Sequence, residues 1–187
     1  MIKTKDDLMY YLECDRIALG ISYKRPRIFT DEVWRFQRSL RRLEYYTNSG
    51  RGGILGMMER VRFHRLSVKL GFSIPINVFG PGLSIVHYGA IVVAQGAKIG
   101  ANCRIHEGVT IGATNGSSKA ATIGDNVFIG SGAKIIGDVI ISSNVAIAAN
   151  AVVNRDVICD NGCTVGGVPA KIISLNNSSY NIHILSK

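Results

Sequence analysis

The sequence predicts a mainly β protein, in which a parallel β-helix of hexapeptide repeats follows an α-helical N-terminal region. The first observation is a period of six residues in the second half of the chain, interrupted once. The second is a smaller apolar residue two positions before most members of this series, and the third is a glycine that often follows them. Such a pattern indicates a short strand and a sharp corner, stacked on copies of themselves. The periodic residues are Ile99, Ile105, Ile111, Ile123, Ile129, Ile135, Ile141, Ile147, Val153, Cys159 and Val165.

Residues 1–73 are predicted to form the helical region. An apolar and basic pattern at helical spacing runs over 33–43, and the polar and glycine-rich stretch 48–53 ends it. A second helix is expected over 54–70, ending near Gly71, because glycine is the preferred residue just beyond a helix.

Positive charge is concentrated in this helical region. Residues 1–73 contain 15 Lys and Arg against 8 Asp and Glu, a net charge of +7 out of +9 for the whole chain. Solvated helix faces around an oligomer contact are one interpretation. The alternative is a basic surface for an anionic lipid-linked or polysaccharide acceptor, with peripheral membrane contact. Nucleic acid is disfavoured because no recognisable binding module accompanies the charge.

The β-helix is predicted over 74–173, with three hexads in each coil of about 18 residues and with coils about 4.8 Å apart. Twelve positions separate Ile111 from Ile123, and Ser117 stands where an aliphatic residue would continue the period, so 113–122 is predicted to leave the coil as an excursion loop. Residues 174–187 form a C-terminal tail. Residues that tolerate positive φ are expected at the corners, and the glycines in that position are Gly100, Gly112, Gly124 and Gly130.

Targeting and cysteine patterns point to a soluble cytoplasmic protein. The first seven residues lack the apolar core of a secretory signal, and the apolar stretch 127–153 is interrupted too regularly to span a bilayer. The cysteines form no CxxC pair, and three of them fall on inward positions of the hexad, so small core residues in a reducing compartment and no structural metal are expected. The four are Cys14, Cys103, Cys159 and Cys163.

Histidine occurs at one unexpected place in the period. Counting back in sixes from Ile99 passes Val93 and reaches His87, where the pattern has a β-branched hydrophobe. An imidazole at an inward position is the first anomaly of functional interest. His64 and His183 carry no motif.

Four segments resemble the serine acetyltransferase branch of the hexapeptide acyltransferases: 83–89, 108–112, 129–135 and the closing Gly-Gly-Val-Pro-Ala-Lys of 166–171. The helical N-terminus more closely resembles the subgroup found with capsule and surface-polysaccharide genes. The resemblance implies a left-handed β-helix that assembles as a homotrimer, with pairing into a dimer of trimers as a further option. It also implies acetyl-CoA as co-substrate, bound in the groove between neighbouring prisms.

The resemblance implies His87 as the catalytic base, because it matches the family's catalytic histidine. A neutral imidazole can take the proton of the acceptor hydroxyl during direct transfer. His106, about one coil further on, is the competing candidate and otherwise a contact for substrate or CoA. The family has one aspartate immediately before this histidine and an earlier one that partners the imidazole. Val86 and the apolar run 72–76 occupy those regions here, so Glu107 or Asp15 is expected to orient the imidazole.

Substrate contacts depart from the family at the excursion loop. Where the family has an Arg-His pair for the carboxylate of serine, this chain has Lys119 and Ala120. A lysine attracts a carboxylate but cannot form the bidentate contact of an arginine. Residues expected near pantetheine are Gly112, Ala113, Ser131 and Ala149, and those expected near the CoA phosphates are Lys134 and Lys171.

The leading interpretation is an acetyl-CoA-dependent O-acetyltransferase acting on a hydroxyl of a surface-polysaccharide sugar or its precursor. The alternatives are an L-serine O-acetyltransferase of cysteine biosynthesis and a non-catalytic β-helix scaffold. A carbonic anhydrase is disfavoured, because three converging histidines would be needed and only His87 and His106 lie within 74–173.

Overall fold

The computed structural model describes residues 1–182, and His183 lies outside them. Three helices come first: α1 (Lys5–Ala18), α2 (Glu32–Asn48) and α3 (Gly53–Leu70). Thr4 and Asp7 form a capping box at the start of α1. At the end of α3, Gly71 adopts the left-handed conformation, with φ 78°. The helix ends near residues 48–53 and at Gly71 therefore agree with the prediction.

Fourteen short strands follow within residues 1–182 and wind into a three-sided prism. The strands are β1 (Phe72–Ser73), β2 (Ser84–Ile85), β3 (Ile91–Val93), β4 (Lys98–Ile99), β5 (Arg104–Ile105), β6 (Thr110–Gly112), β7 (Thr122–Ile123), β8 (Phe128–Ile129), β9 (Lys134–Ile136), β10 (Ile140–Ile141), β11 (Ala146–Ile147), β12 (Val152–Val153), β13 (Thr164–Gly166) and β14 (Lys171–Ser174). The front face contains β1, β3, β6, β9 and β12, the side face contains β4, β7 and β10, and the back face contains β2, β5, β8, β11, β13 and β14.

Parallel register stacks like residues on like through the prism. Ile105 pairs with Ile129, and Ile111 pairs with Ile135, so the aliphatic residues of successive coils form continuous columns. These four side chains have no solvent exposure. The smaller residues two positions earlier are buried beside them, which closes the interior without a channel.

Asparagines, rather than the predicted glycines, supply positive φ at the corner between the side and back faces. Asn102, Asn126 and Asn144 have φ between 55° and 62°, and their amides form a ladder with distances of 2.9 and 3.0 Å. Gly124 has no positive φ, but a Cβ there would lie 2.6 Å from the backbone nitrogen of Ser143. The prediction that this glycine supplies a positive φ was therefore wrong, and Gly124 instead permits the close approach of two coils.

His87 is not in the inward column, contrary to the prediction from the period. The inward residues around it are Ile85, which pairs with Ile105, and Val93, which pairs with Ile111. Since the two inward residues are eight positions apart, the corner between β2 and β3 contains two additional residues. His87 lies on that corner and is exposed to solvent.

The cysteines near the end of the prism also differ from the prediction. Val157 takes the inward place opposite Ile141, and the half-buried Cys159 forms a disulfide with Cys163 across a Cα separation of 6.1 Å. The expectation of free core thiols is therefore wrong for this pair. Cys14 and Cys103 are buried free thiols, and burial raises the pKa of Cys103 to about 12.

A buried polar cluster joins the helices to the first coil. The guanidinium of Arg41 donates to Asp15 at 2.8 and 3.2 Å, to Glu44 at 3.1 Å, and to the carbonyl oxygens of Phe79 and Gly80 at 2.9 and 2.6 Å. Burial disfavours its charge, but the two carboxylates outweigh that effect and raise the pKa of Arg41. This cluster holds the helical region in one place on the prism.

Two segments complete the β-helix. The excursion loop leaves between β6 and β7, as predicted, with its last residues Ala120 and Ala121 buried. At the other end, β13 and β14 form an antiparallel hairpin around Val168 and Pro169, and Ala170 donates to the carbonyl of Val152 at 2.8 Å. Within residues 1–182, no helix has the length and apolar character needed to cross a membrane.

Candidate active site

Equivalent positions of successive coils form a column at the corner between the back and front faces. Each member lies two residues after an inward isoleucine of the back face. The register of β5, β8 and β11 places the last three above one another, and His87 joins them from the wider corner of the first coil. In chain order the members are His87, Glu107, Ser131 and Ala149. His106, the residue immediately before Glu107, lies beside this corner column.

Two imidazoles and a carboxylate meet on the corner column. The ring centroids of His87 and His106 are 5.8 Å apart in an edge-to-face arrangement, and His106 lies 5.2 Å from Phe128 on its other side. One nitrogen of each histidine and one oxygen of Glu107 all lie within 4.8 Å of one another. Between residues 1 and 182, this is the sole group of three such side chains close enough to share a metal ion. The same groups are also suited to general acid-base chemistry.

His106 is held as a neutral imidazole. Burial lowers its pKa, the nearby charge of Arg104 lowers it further, and Glu107 partly opposes both. Its Nε2 atom is buried without a hydrogen-bond partner in the described part of the chain, while its Nδ1 lies 3.5 Å from Ser131 Oγ and 3.9 Å from Glu107 Oε2. The Nε2 atom is therefore enclosed by protein.

Glu107 remains a carboxylate at neutral pH. Interactions with its own backbone N–H and with the hydroxyl of Ser131 hold the pKa of Glu107 below its ordinary value, and the two histidines lower it further. Glu107 therefore lies close to both histidines, and its role in orienting one of them stays a prediction.

A cavity of about 480 Å³ opens beside His87, between the prism and the segment that joins α1 to α2. Its walls include Phe29, Asp31, Glu32, Trp34, His87 and Tyr88. Asp31 Oδ2 accepts hydrogen bonds from the hydroxyl of Tyr23 and the backbone N–H of Arg27, at 2.8 and 2.7 Å. Within residues 1–182, no lysine or arginine lines this cavity. The exposed imidazole thus faces a space with aromatic and acidic walls.

Asp15 is not part of this site, contrary to one prediction. It is buried, and both its oxygens bind Arg41 while Oδ1 also accepts from the backbone N–H groups of Gly82 and Leu83 at 2.9 Å. Because it is buried and bonded within the junction between helices and prism, it is not accessible to an imidazole of the corner column or to a substrate.

Lys119 lies at a different corner from His87. It is on the excursion loop between the front and side faces, is exposed, and has its Nζ 3.8 Å from Asp138 Oδ2. Within one chain it is therefore separated from the corner column by the width of the front face. A contact with an acceptor at His87 would require the loop of a neighbouring copy.

The residues predicted to contact CoA border the front face and the end of the prism. Ser131 and Ala149 belong to the corner column, whereas Gly112 and Ala113 lie at the opposite edge of the front face. Lys134, between these edges, donates to the carbonyl of Gly108 at 2.5 Å and to Thr110 Oγ1 at 3.3 Å. Lys171 is exposed at the start of β14.

Sequence reasoning missed the cavity and the neighbours of His106. Trp34 lies in the pattern over 33–43, which predicts a helix and nothing more. The residues of the α1–α2 segment follow no period that would place them against His87. Phe128 occupies an outward hexad position, where a single aromatic residue carries no signal of its own.

Comparison with known proteins agrees with this architecture. A profile of the bacterial transferase hexapeptide (six repeats) matches residues 120–155. Serine acetyltransferase from Brucella abortus strain S19 superposes with a TM-score of 0.73 at 27% identity, over 94% of this chain and 72% of that chain. Serine acetyltransferase from Neisseria gonorrhoeae gives 0.71 at 26% identity, over 92% and 68%. A serine acetyltransferase in complex with CoA gives 0.70 at 26% identity, over 90% and 70%. A comparison with curated proteins found no match.

These findings confirm the predicted left-handed β-helix, the resemblance to serine acetyltransferases and the assignment to the acyltransferases. The finer resemblance to the polysaccharide-linked subgroup, the trimer and the roles of individual site residues stay predictions.

Proposed function

We propose that this hexapeptide-repeat acyltransferase, which has the fold of the serine acetyltransferases, transfers the acetyl group of acetyl-CoA to a hydroxyl oxygen with His87 as general base. The observation that carries the proposal is the corner column, where an exposed imidazole meets a carboxylate beside a cavity of about 480 Å³. A similar protein in complex with CoA supports the choice of acyl donor.

The reaction needs one proton transfer in each direction. His87, neutral, takes the proton of the acceptor hydroxyl as its oxygen attacks the thioester carbonyl. The bond from carbon to sulfur then breaks, and the CoA sulfur leaves and takes the proton from the imidazolium. Such a base contributes about 10²- to 10⁴-fold to the rate. No covalent intermediate with the enzyme is required.

Glu107 acts on His87 as a positioning residue. Its carboxylate lies in the same group of atoms within 4.8 Å, and it stabilises the imidazolium that forms during proton transfer. It thereby replaces the family's earlier aspartate, whose region in this chain is the apolar run 72–76. His106 has a lowered pKa, its Nε2 is buried, and it does not line the cavity beside His87, so it is less suited than the exposed His87 to take the proton of an acceptor.

CoA is proposed to lie along the front face, in the groove between this prism and that of a neighbouring copy in a homotrimer. Ser131 and Ala149 are small enough to let the pantetheine pass close to the backbone next to His87. Lys134 and Lys171 lie where positive charge can meet phosphate. Gly112 and Ala113, at the far edge of the same face, would line the groove where the excursion loop begins.

L-serine is the first acceptor to test. The similar solved structures are serine acetyltransferases, and this supports the serine reading at least as strongly as the sugar reading that the sequence favoured. A sugar hydroxyl is the second candidate, because the cavity beside His87 is lined by the exposed rings of Phe29 and Tyr88 and by no basic side chain of the described residues. Exposed aromatic rings can pack against a sugar face, whereas the strongest contacts of a carboxylate are charge-assisted hydrogen bonds to arginine or lysine.

The experiment measures CoA release from acetyl-CoA with L-serine and with a panel of neutral and N-acetylated sugars, using His87→Ala as the matched inactive control. Acceptor-dependent CoA release that is lost in His87→Ala is expected. Calorimetry that detects no CoA binding at millimolar concentration would contradict the acyltransferase proposal and favour the scaffold alternative.

A further inference from the structure

Helix α3 has two apolar faces. Phe63, Leu66 and Leu70 point inward and pack with the core. The outward face carries large apolar side chains that are between 48 and 74% exposed: Ile54, Met57, Met58, Val61 and Val68. A surface helix needs only one apolar face for packing, so the outward face is unexplained by the fold.

The outward residues form a stripe along one side of the helix. Positions 54, 58, 61, 65 and 68 share this side of a helix with 3.6 residues per turn, and Arg65 is the one charged residue in the line, between Val61 and Val68. Beside this stripe, Met57, Met58 and Val61 border an open groove of about 520 Å³ toward Arg35 of α2. Contiguous exposed apolar surface of this kind marks a site of contact with a partner or a membrane.

Basic residues border the stripe on both sides. Arg60 and His64 follow one edge, Arg62 and Lys69 follow the other, and all four are exposed. The only acidic residue of α3, Glu59, accepts a hydrogen bond from Ser39 and so is turned toward the protein.

Neighbouring arginines of α2 add to this charge. Burial and the like charges of Arg42 and Arg62 lower the pKa of Arg38. Lys69 is paired with Glu32 at 2.5 Å, but Arg60, Arg62 and Arg65 have no ion pair among the described residues. The stripe therefore lies within an excess of positive charge.

This positive charge distinguishes between two possible partners of the stripe, a second copy of the chain and an anionic bilayer. A second copy meeting the stripe through a twofold axis would bring the same arginines against one another, and like charges facing each other oppose association. The surface of an anionic bilayer suits both features, since apolar side chains enter the acyl boundary while arginine and lysine extend to the lipid phosphates.

We propose that the outward face of α3 binds the surface of an anionic phospholipid bilayer. Glu32, which lines the cavity beside His87, bonds to Lys69, so the C-terminal end of α3 lies beside that cavity and the stripe extends from there to Ile54. Binding would hold the cavity close to lipid headgroups. The inference goes beyond the proposed function and does not depend on it.

The experiment is co-sedimentation of the full chain with vesicles of phosphatidylcholine alone and with vesicles containing about one third phosphatidylglycerol. Binding to the anionic vesicles alone is expected, and it should weaken as salt is added. The variant Met58→Glu with Val61→Glu should lower the partition constant at least about tenfold, and Arg62→Gln with Arg65→Gln should remove most of the salt dependence.

Ile158→Glu is the matched control, because Ile158 is an equally exposed apolar residue on the prism. It should bind vesicles as the unchanged chain does, and circular dichroism should show all variants folded. Equal partition into both vesicle types, or full binding by Met58→Glu with Val61→Glu, would overturn the proposal. A change of oligomeric state in that variant would instead make the face a contact between copies. If Met58→Glu with Val61→Glu binds a soluble polyanion as strongly as the unchanged chain does, the face is a polysaccharide surface rather than a membrane surface.

Discussion

The prism and the helical region are stabilised in different ways. In the prism, one set of contacts recurs in every coil: an aliphatic residue stacks on its equivalent, as Ile105 does on Ile129, and each coil touches only its neighbours. The helical region joins the first coil through contacts that occur once, centred on the buried guanidinium of Arg41.

This difference determines where chemistry can be placed. A repeated coil by itself offers equivalent corners, and function needs one corner that differs from the others. His87 stands at the coil that meets the helices, where two additional residues widen the corner and the segment between α1 and α2 supplies a cavity wall. The candidate site thus lies where the periodic part of the molecule meets the part that is not periodic.

The largest effect is expected from the one side chain that makes this corner chemically different. His87→Ala should lower kcat by about 10²- to 10⁴-fold because the acceptor hydroxyl loses its base. CoA affinity and the oligomer should be unchanged, as measured by calorimetry and sedimentation. His64→Ala, an exposed histidine of α3, is the control and should be fully active. A dead His106→Ala together with an active His87→Ala would move the base one coil further on.

Removing the Arg41 guanidinium, which joins the helical region to the first coil, should destabilise the helices more than the prism. Arg41→Ala leaves the carboxylates of Asp15 and Glu44 buried without a cation, which costs about 3–5 kcal/mol of the free energy of unfolding. We expect hydrogen exchange to show lost protection in α1 and α2 while the coils beyond β6 stay protected. Arg155→Ala, on an exposed corner of the prism, is the control. Uniform loss of protection in both regions would contradict a separable junction.

Removing the carboxylate of the corner column tests its positioning role. Glu107→Gln should lower kcat about tenfold with little change in KM, since the group acts through His87 rather than on the substrate. Because Glu107 raises the pKa of His106 against the effect of burial, that pKa, followed by NMR, should fall further in the variant.

The lowered pKa of His106 also predicts how the stability of the fold changes with pH. The pKa of His106 is lowered on folding, so below its ordinary value of 6.5 the unfolded chain binds the proton more readily. Stability should therefore decline as the pH falls through this range, and His106→Gln should flatten the decline in thermal unfolding. A decline of equal slope in His106→Gln would assign it to other groups.

The smallest effect is expected from the excursion loop. Lys119 pairs with Asp138 at another corner of the prism, so Lys119→Ala should change the KM of the acceptor by less than about threefold. Asp138→Ala is the matched variant from the same pair. A rise of about tenfold in the KM of L-serine alone would show that the loop of a neighbouring copy completes the site.

The sequence alone determined the architecture, because the period of the β-helix is local. Each strand and corner repeats within about 18 residues, so the hexads, the excursion before Ile123 and the helix end at Gly71 could be read from spacing and residue type. His87 was found through the motif around it, although the period placed it wrongly in the interior.

Tertiary structure decided what the period cannot encode. Two additional residues between Ile85 and Val93 turn His87 outward, and only the register with the next coil reveals them. Asp15 and Glu107 look alike as candidate carboxylates, yet Arg41 sequesters the first and the stacking of coils brings the second to His87. Contacts between residues far apart in the chain depend on how the helices dock on the first coil. That docking rests on a few buried charges and hydrogen bonds, which leave no periodic signature in the sequence.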